Sequence, residues 1–319
     1  MRAKAIYKKE IKFMREKWKN NVNVQGFVFS HTLTARISKA GVPFINGEIQ
    51  VATDESGTNV VPVHFSYVSE TYGKSGKPNA TYGVLQEIIE NGKTFEEIGP
   101  EATKVRISGN VEVNDFYTRE GELASPKRIG GSFVHTMTGG ISDNPANFDV
   151  DMVITNVAER EVEDAQNYVE LKGYVFNFRN DILPVSFTIR SQAGMDYFLN
   201  ADVSSKNPMV TELQGEIIST VIKSETEIEG AFGEPMVKTT SRTLRAWDVT
   251  WASAEPAEFD DEAVITRADV KKALAKREED LVEVKKKQEE YQASKNGKSG
   301  FPASTPVVED EDDDSDFVF

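Results

Sequence analysis

The chain has 319 residues, 39% of them apolar and 28% charged, with a net charge of −15 and no cysteine. That length suffices for about two domains, each with its own core. The lack of cysteine excludes disulfide frameworks, thiolate metal sites, iron–sulfur clusters and cysteine nucleophiles, and His31, His64 and His135 are too few for a multi-histidine metal centre.

No apolar run approaches the ~20 residues that cross a bilayer. The N-terminus is basic and lacks the apolar stretch of a secretory signal. The expectation is a cytoplasmic protein with no membrane partner and no cofactor. Charge placement says more than its sum: residues 1–19 carry +6, residues 149–255 carry −9 and residues 309–319 carry −7. A basic start and an acidic end suggest a surface for nucleic acid at one end and an interaction tail at the other.

Residues 5–19 read as a helix, with Tyr7, Ile11, Met14 and Trp18 on one face and a basic back. Strand signals then dominate residues 22–138. Phe27, Phe29, His31, Leu33, Ala35 and Ile37 alternate with smaller or polar residues, which predicts a first strand with its odd positions inward. A second strand is expected near 44–53 and a third near 59–68, with Val61, Val63, Phe65 and Tyr67 in phase. Residues 70–80 read as a loop, and Val84, Leu85, Ile88 and Ile89 as a short amphipathic helix closed by Asn91-Gly92. A fourth strand puts Val105, Ile107, Val111 and Val113 on one face, a loop covers 116–130, and a fifth strand runs over 132–138. Three strands, a short helix and two strands is an order that resembles an OB-fold, a small five-stranded barrel.

The pattern repeats. Val61-Pro62-Val63-His64-Phe65-Ser66 matches Leu183-Pro184-Val185-Ser186-Phe187-Thr188, and Ser108-Gly109-Asn110-Val111 matches Gln214-Gly215-Glu216-Ile217. The expected layout is mainly β: a basic helix at 1–20, two tandem OB-like five-stranded barrels at 21–147 and 148–257, a helix at 258–293, and a flexible linker with a disordered acidic tail at 294–319. The helix has Thr266 as its cap with Asp269 in the third position, and Arg277 and Gln288 interrupt its apolar stripe.

Catalytic signatures are missing. Gly-Lys-Ser-Gly occurs at 73–76 and 297–300, but the glycine a phosphate loop needs five residues earlier is Val68 in one and Gln292 in the other. The histidines lie in strand patterns and read as structural. The chemistry that remains is a binding surface and not an enzyme. OB-folds bind single strands on the face of their second and third strands and on the loops joining strands 1–2 and 4–5. In the first barrel those loops, with flanking residues, offer Arg36, Lys39, Phe44, Phe116, Tyr117, Arg119, Lys127 and Arg128. The loop after the third strand adds Tyr72, Lys74, Lys77 and Tyr82, and Arg106 points outward from the fourth. Tyr67, in phase with the core, is not counted among them. Rings stack on bases of any identity, and Lys and Arg displace counterions from phosphates. The second barrel, at −9, is expected to support the fold or to bind protein.

The chain ends in Asp312-Asp313-Asp314-Ser315-Asp316-Phe317-Val318-Phe319. An acidic run closed by phenylalanine, after two barrels, resembles the phage-type single-stranded DNA-binding proteins. The common bacterial form differs in having one barrel and a Pro-Phe end. The resemblance implies sequence-nonspecific binding and protection of single-stranded DNA in replication, recombination and repair. It also implies recruitment of replication and recombination proteins by Asp312, Asp313, Asp314, Asp316, Phe317 and Phe319. Two barrels per chain leave monomer and dimer both open, and a phage-encoded protein would act in the host cytoplasm. The competing reading is a β-rich virion, scaffold or adaptor protein, which predicts stable self-assembly and no salt-sensitive DNA binding.

Overall fold

Valine, isoleucine, phenylalanine and threonine recur along this chain, and such side chains suit a pleated, half-buried surface. The computed structural model of the protein describes residues 18–118, 120–162, 166–228, 236–257, 259–260 and 264–296. The expected N-terminal helix lies outside them but for its last residues, Trp18 and Lys19. Arg119 and the acidic tail with its six named residues also lie outside.

The N-terminal half holds β1 (Asn20–His31), β2 (Thr34–Ile37), β3 (Pro43–Ala52), β4 (Val60–Ser69), β5 (Thr71–Tyr72) and β6 (Lys77–Pro78). Helix α1 (Ala80–Asn91) and the single turn α2 (Phe95–Ile98) precede β7 (Lys104–Val113), β8 (Phe116–Tyr117), β9 (Leu123–Ala124) and β10 (Lys127–Met137). The C-terminal half holds β11 (Ala146–Arg160), β12 (Tyr168–Phe176), β13 (Ile182–Ile189), α3 (Gln192–Asn200), β14 (Met209–Ile228) and β15 (Met236–Ala252), and α4 (Arg267–Asn296) follows.

Eleven of these strands form one mixed sheet. β1 pairs with β3 and β7, β7 with β10, β10 with β4, and β4 with β3, so the pairing returns to β1. β11 pairs with β12 and β14, β12 with β13, β13 with β15, and β15 with β14. In each circuit one parallel contact makes the return, Gly130 opposite His64 and Thr188 opposite Asp248. The halves join where β1 runs antiparallel to β11, from Asn20 opposite Val150 to Val24 opposite Ala146.

Two bulges change which side chains face inward. In β1 the even positions Val22, Val24 and Val28 enter the main core, not the odd ones expected. The register shifts between Val28 and Ser30, after which Leu33 is the buried residue. Phe27 packs on the opposite face with Phe29 against Phe95 of α2, at ring distances of 5.5 and 5.9 Å. β1 is apolar at both parities because both its faces are covered there. In β4, Val61, Val63 and Phe65 point inward, but the register shifts opposite Ile45 and Gly47, and Val68 becomes the next buried residue. Gly47 has φ +127°, and a Cβ there would lie 2.5 Å from the Thr32 carbonyl oxygen, so only glycine fits the bend.

One contiguous apolar core runs through both halves, from Val24, Ile49 and Phe65 to Phe148, Phe187 and Phe198. Helix α1 is capped by Asn79, whose side chain accepts from Thr81 N at 3.1 Å, and it buries Leu85 and Ile88. Helix α4 begins as expected, with Asp269 N donating to Thr266 Oγ1 at 3.2 Å and Thr266 N to Asp269 Oδ2 at 3.0 Å. The two residues that break its apolar stripe are its docking contacts. Gln288, 5% exposed, accepts from Tyr117 N at 2.9 Å and donates to Tyr117 O at 2.5 Å. Arg277 pairs with Asp115 at 2.5 Å, while Lys276 pairs with Asp181 of the other half. The helix thereby straps both halves. Among the described residues no helix is long and apolar enough to cross a membrane.

Candidate nucleic-acid interface

The bulge in β4 turns Tyr67 outward, 53% exposed, where it stacks on Phe44 of β3 at 4.5 Å between centroids and 27° between planes. Arg36 of β2 is the register partner of Phe44, and Ile37, beside it, is 74% exposed. The turn carrying Lys39 closes through Gly41 N donating to Ser38 O at 2.8 Å. The β5–β6 hairpin rises from the same end, because Glu70 N donates to Pro43 O at 3.0 Å. On that hairpin Tyr72 is register partner to Lys77, and both are exposed. Arg36, Lys39, Phe44, Tyr67, Tyr72 and Lys77 therefore share one end of the β2–β3–β4 outer face. The side chain of Lys74 lies outside the described residues.

Sequence reasoning missed Tyr67, because an unbroken period of two puts it in the core and a bulge has no period. Asn46-Gly47 inside a strand pattern was the one local signal, since an interior glycine marks bulges.

The rest of that outer face is polar and cross-braced. Glu48 lies among Gln50, Arg128 and Arg245, and burial raises its pKa against the pull of the two guanidinium groups. Arg128 reaches Glu112 at 3.4 Å and Ser66 Oγ at 3.5 Å, and its Nε is buried without a partner. Asn59 Oδ1 accepts from Ser219 N at 2.6 Å, tying the β14–β15 ribbon to the start of β4. Asp54 holds Asn59 in place by accepting from Thr58 N at 2.9 Å and Asn59 N at 2.8 Å. Burial opposes the Asp54 charge, yet these bonds and those from the Thr58 and Ser56 hydroxyls win, and its pKa is lowered.

Other candidates sit elsewhere. Tyr82 packs on the main core from α1. Phe116 is 8% exposed, and Tyr117 is held by Gln288 with the Lys285 ammonium 5.5 Å from its ring. The stretch 116–130 is not one loop: β8 and β9 form a hairpin, and β10 begins at Lys127, opposite Val113. Lys127 points between the halves, its ammonium 4.5 Å from the Phe187 ring and 4.7 Å from that of Trp247, and it donates to Ser186 O. Burial lowers its pKa to about 7, with Glu170 opposing the shift. Arg106 lies on another outer face, between Gln25 and His135, with Phe133 nearby and 53% exposed. Phe116 is buried, and Lys127 is half-buried with its ammonium turned to the Phe187 and Trp247 rings.

The sequence matches the family model YorF over residues 19–288, most of the chain. The chain belongs to the YorF family. No curated protein matches this YorF-family chain. Among solved structures it is similar to the wild-type single-stranded DNA binding protein of Thermus aquaticus, at 12% identity and a TM-score of 0.44. It is similar also to a deletion mutant of that protein, at 11% and 0.45. Each alignment covers 76% of this chain and 97% of the other.

Proposed function

We propose that this protein binds single-stranded DNA without sequence preference and protects it during replication, recombination and repair, with no catalytic role. The observation that carries the proposal is the outward-facing Phe44–Tyr67 stack, edged by Arg36, Lys39 and Lys77. Flat rings at the surface of a sheet accept unpaired bases of any identity, and cations around them take the phosphates. A duplex keeps its bases stacked inside and offers such rings nothing. Each pairing circuit, with its helix between the third and fourth strands, supports an OB-type barrel, one over 21–147 and one over 148–257. The acidic end, with Asp312, Asp313, Asp314, Asp316, Phe317 and Phe319, is the phage-type feature, and its role in this proposal is to recruit replication proteins.

Anisotropy of labelled oligo-dT and of a duplex of equal length, across a salt series, tests this. Tight, salt-sensitive binding to the single strand alone is expected. Phe44→Ala with Tyr67→Ala should weaken it on the order of tenfold or more, from ~1–3 kcal/mol per stacked base. Lys39→Ala with Lys77→Ala should lower the log–log salt slope by roughly one for each phosphate no longer neutralised. Removing residues 309–319 should leave strand binding intact or tighter and abolish capture of partner proteins. A parent chain that ignores oligo-dT at low salt sinks the proposal.

A further inference from the structure

A second exposed ring stands in the C-terminal half. Phe178, at the tip of the β12–β13 turn, is 87% exposed, with the Arg179 guanidinium 5.1 Å from its ring centroid. The turn is rigidly built. Asn177 Oδ1 accepts from Arg179 N at 2.8 Å and from Asp181 N at 2.9 Å, and Asn180 adopts a φ of 61°. Three hydrogen-bonding residues thus hold an apolar ring in water, where it buries nothing.

Beside the turn a groove of about 500 Å³ runs against α4. Trp18 and Phe176, stacked at 4.7 Å, lie in its wall, and Arg179, Lys272 and Lys276 also line it. Asp269, the carboxylate in its lining, is engaged by Thr266, and Lys276 is paired with Asp181 beside the groove. Lys272 has no carboxylate partner among the described residues. Trp18 is the first described residue, and residues 1–17 before it carry +5 by sequence. Charges interact strongly only within a Debye length of ~8–10 Å, and the lining sets three cations, Arg179, Lys272 and Lys276, against the one carboxylate of Asp269.

We propose that the Asn177–Asp181 turn and this groove are a second contact for single-stranded nucleic acid, with Phe178 stacking a base and Arg179 and Lys272 holding phosphates. This rests on the single-strand reading above. It goes beyond it in giving the acidic half its own contact, so that one strand runs over both halves.

The test compares oligo-dT of roughly 12 and roughly 40 nucleotides, the first about one stacking locus in length. It uses the full chain, Phe178→Ala with Arg179→Ala, and Phe44→Ala with Tyr67→Ala. The turn variant should bind the long strand on the order of tenfold more weakly, with a salt slope lower by about one, and the short strand within twofold of the parent. The Phe44–Tyr67 variant should weaken both lengths. Equal binding of the long strand by parent and turn variant overturns this inference and leaves the single-strand reading standing. A parent that binds neither length overturns both. Acylation of Lys272, read by mass spectrometry, checks the occupant: the long strand should protect it in the full chain. Protection without DNA that disappears on deleting residues 1–17 would assign the groove to the chain's own first residues and overturn the proposal.

Discussion

Lys127 shows how one side chain can join two halves of a molecule. It leaves β10, crosses to the aromatic cluster of Phe148, Phe187 and Trp247, and is held there by the Ser186 carbonyl. Enclosure disfavours the charged form, so the folded chain releases the proton near pH 7, whereas unfolded lysine keeps it to about 10.5. Between those values the unfolded chain binds a proton that the folded chain does not. The Lys127 contribution to stability is therefore lowest below pH 7 and rises as pH climbs toward 10.5. The two ring faces favour the cation and make this rise smaller than burial alone would give. Lys127→Met should be more stable than the parent at pH 6 by about 1–3 kcal/mol, with the gap narrowing toward pH 10 in urea titrations. A gap that stays constant across that range means that Lys127 does not titrate. In the sequence Lys127 looked like a surface cation, because no one-dimensional pattern distinguishes an ammonium in water from one between two rings.

At the scale of elements, α4 is the instructive case. Its existence and its cap at Thr266 were legible, since both depend on residues three or four apart. Arg277 and Gln288 read as flaws in an apolar stripe, and they prove to be the contacts that dock the helix on Asp115 and Tyr117. Gln288→Ala leaves a backbone N–H and C=O of Tyr117 without their partners. The cost should be about 1–3 kcal/mol, seen as a lower Tm and faster hydrogen exchange in the last turns of α4. If exchange there is unchanged, the helix docks by other means. The β1 and β4 bulges are the converse lesson. Alternation gave the strands, but β1 is apolar at both parities and Phe27 packs on its other face, while the extra residue in β4 reverses parity and moves Tyr67 onto the surface.

On the whole-molecule scale, the halves share one core, the β1–β11 ladder, the Asn59–Ser219 bond and the α4 strap. Units coupled so widely should unfold together. Calorimetry at neutral pH should show one transition with matching calorimetric and van't Hoff enthalpies, and two separated transitions would show that each half stands alone.

Local patterning by itself determined the mainly β character, the strand–helix–strand order, the α4 cap and a cluster of cations and rings after the first strand. These depend on residues close in sequence, where period and turn chemistry act directly. The tertiary structure alone decided which rings face water. It paired Tyr67 with Phe44, enclosed Phe116 and Lys127, held Phe178 out beside a basic groove, and bound the two halves into one sheet. Burial is set by the neighbours that distant strands bring, and a register shift of one residue is enough to reverse it.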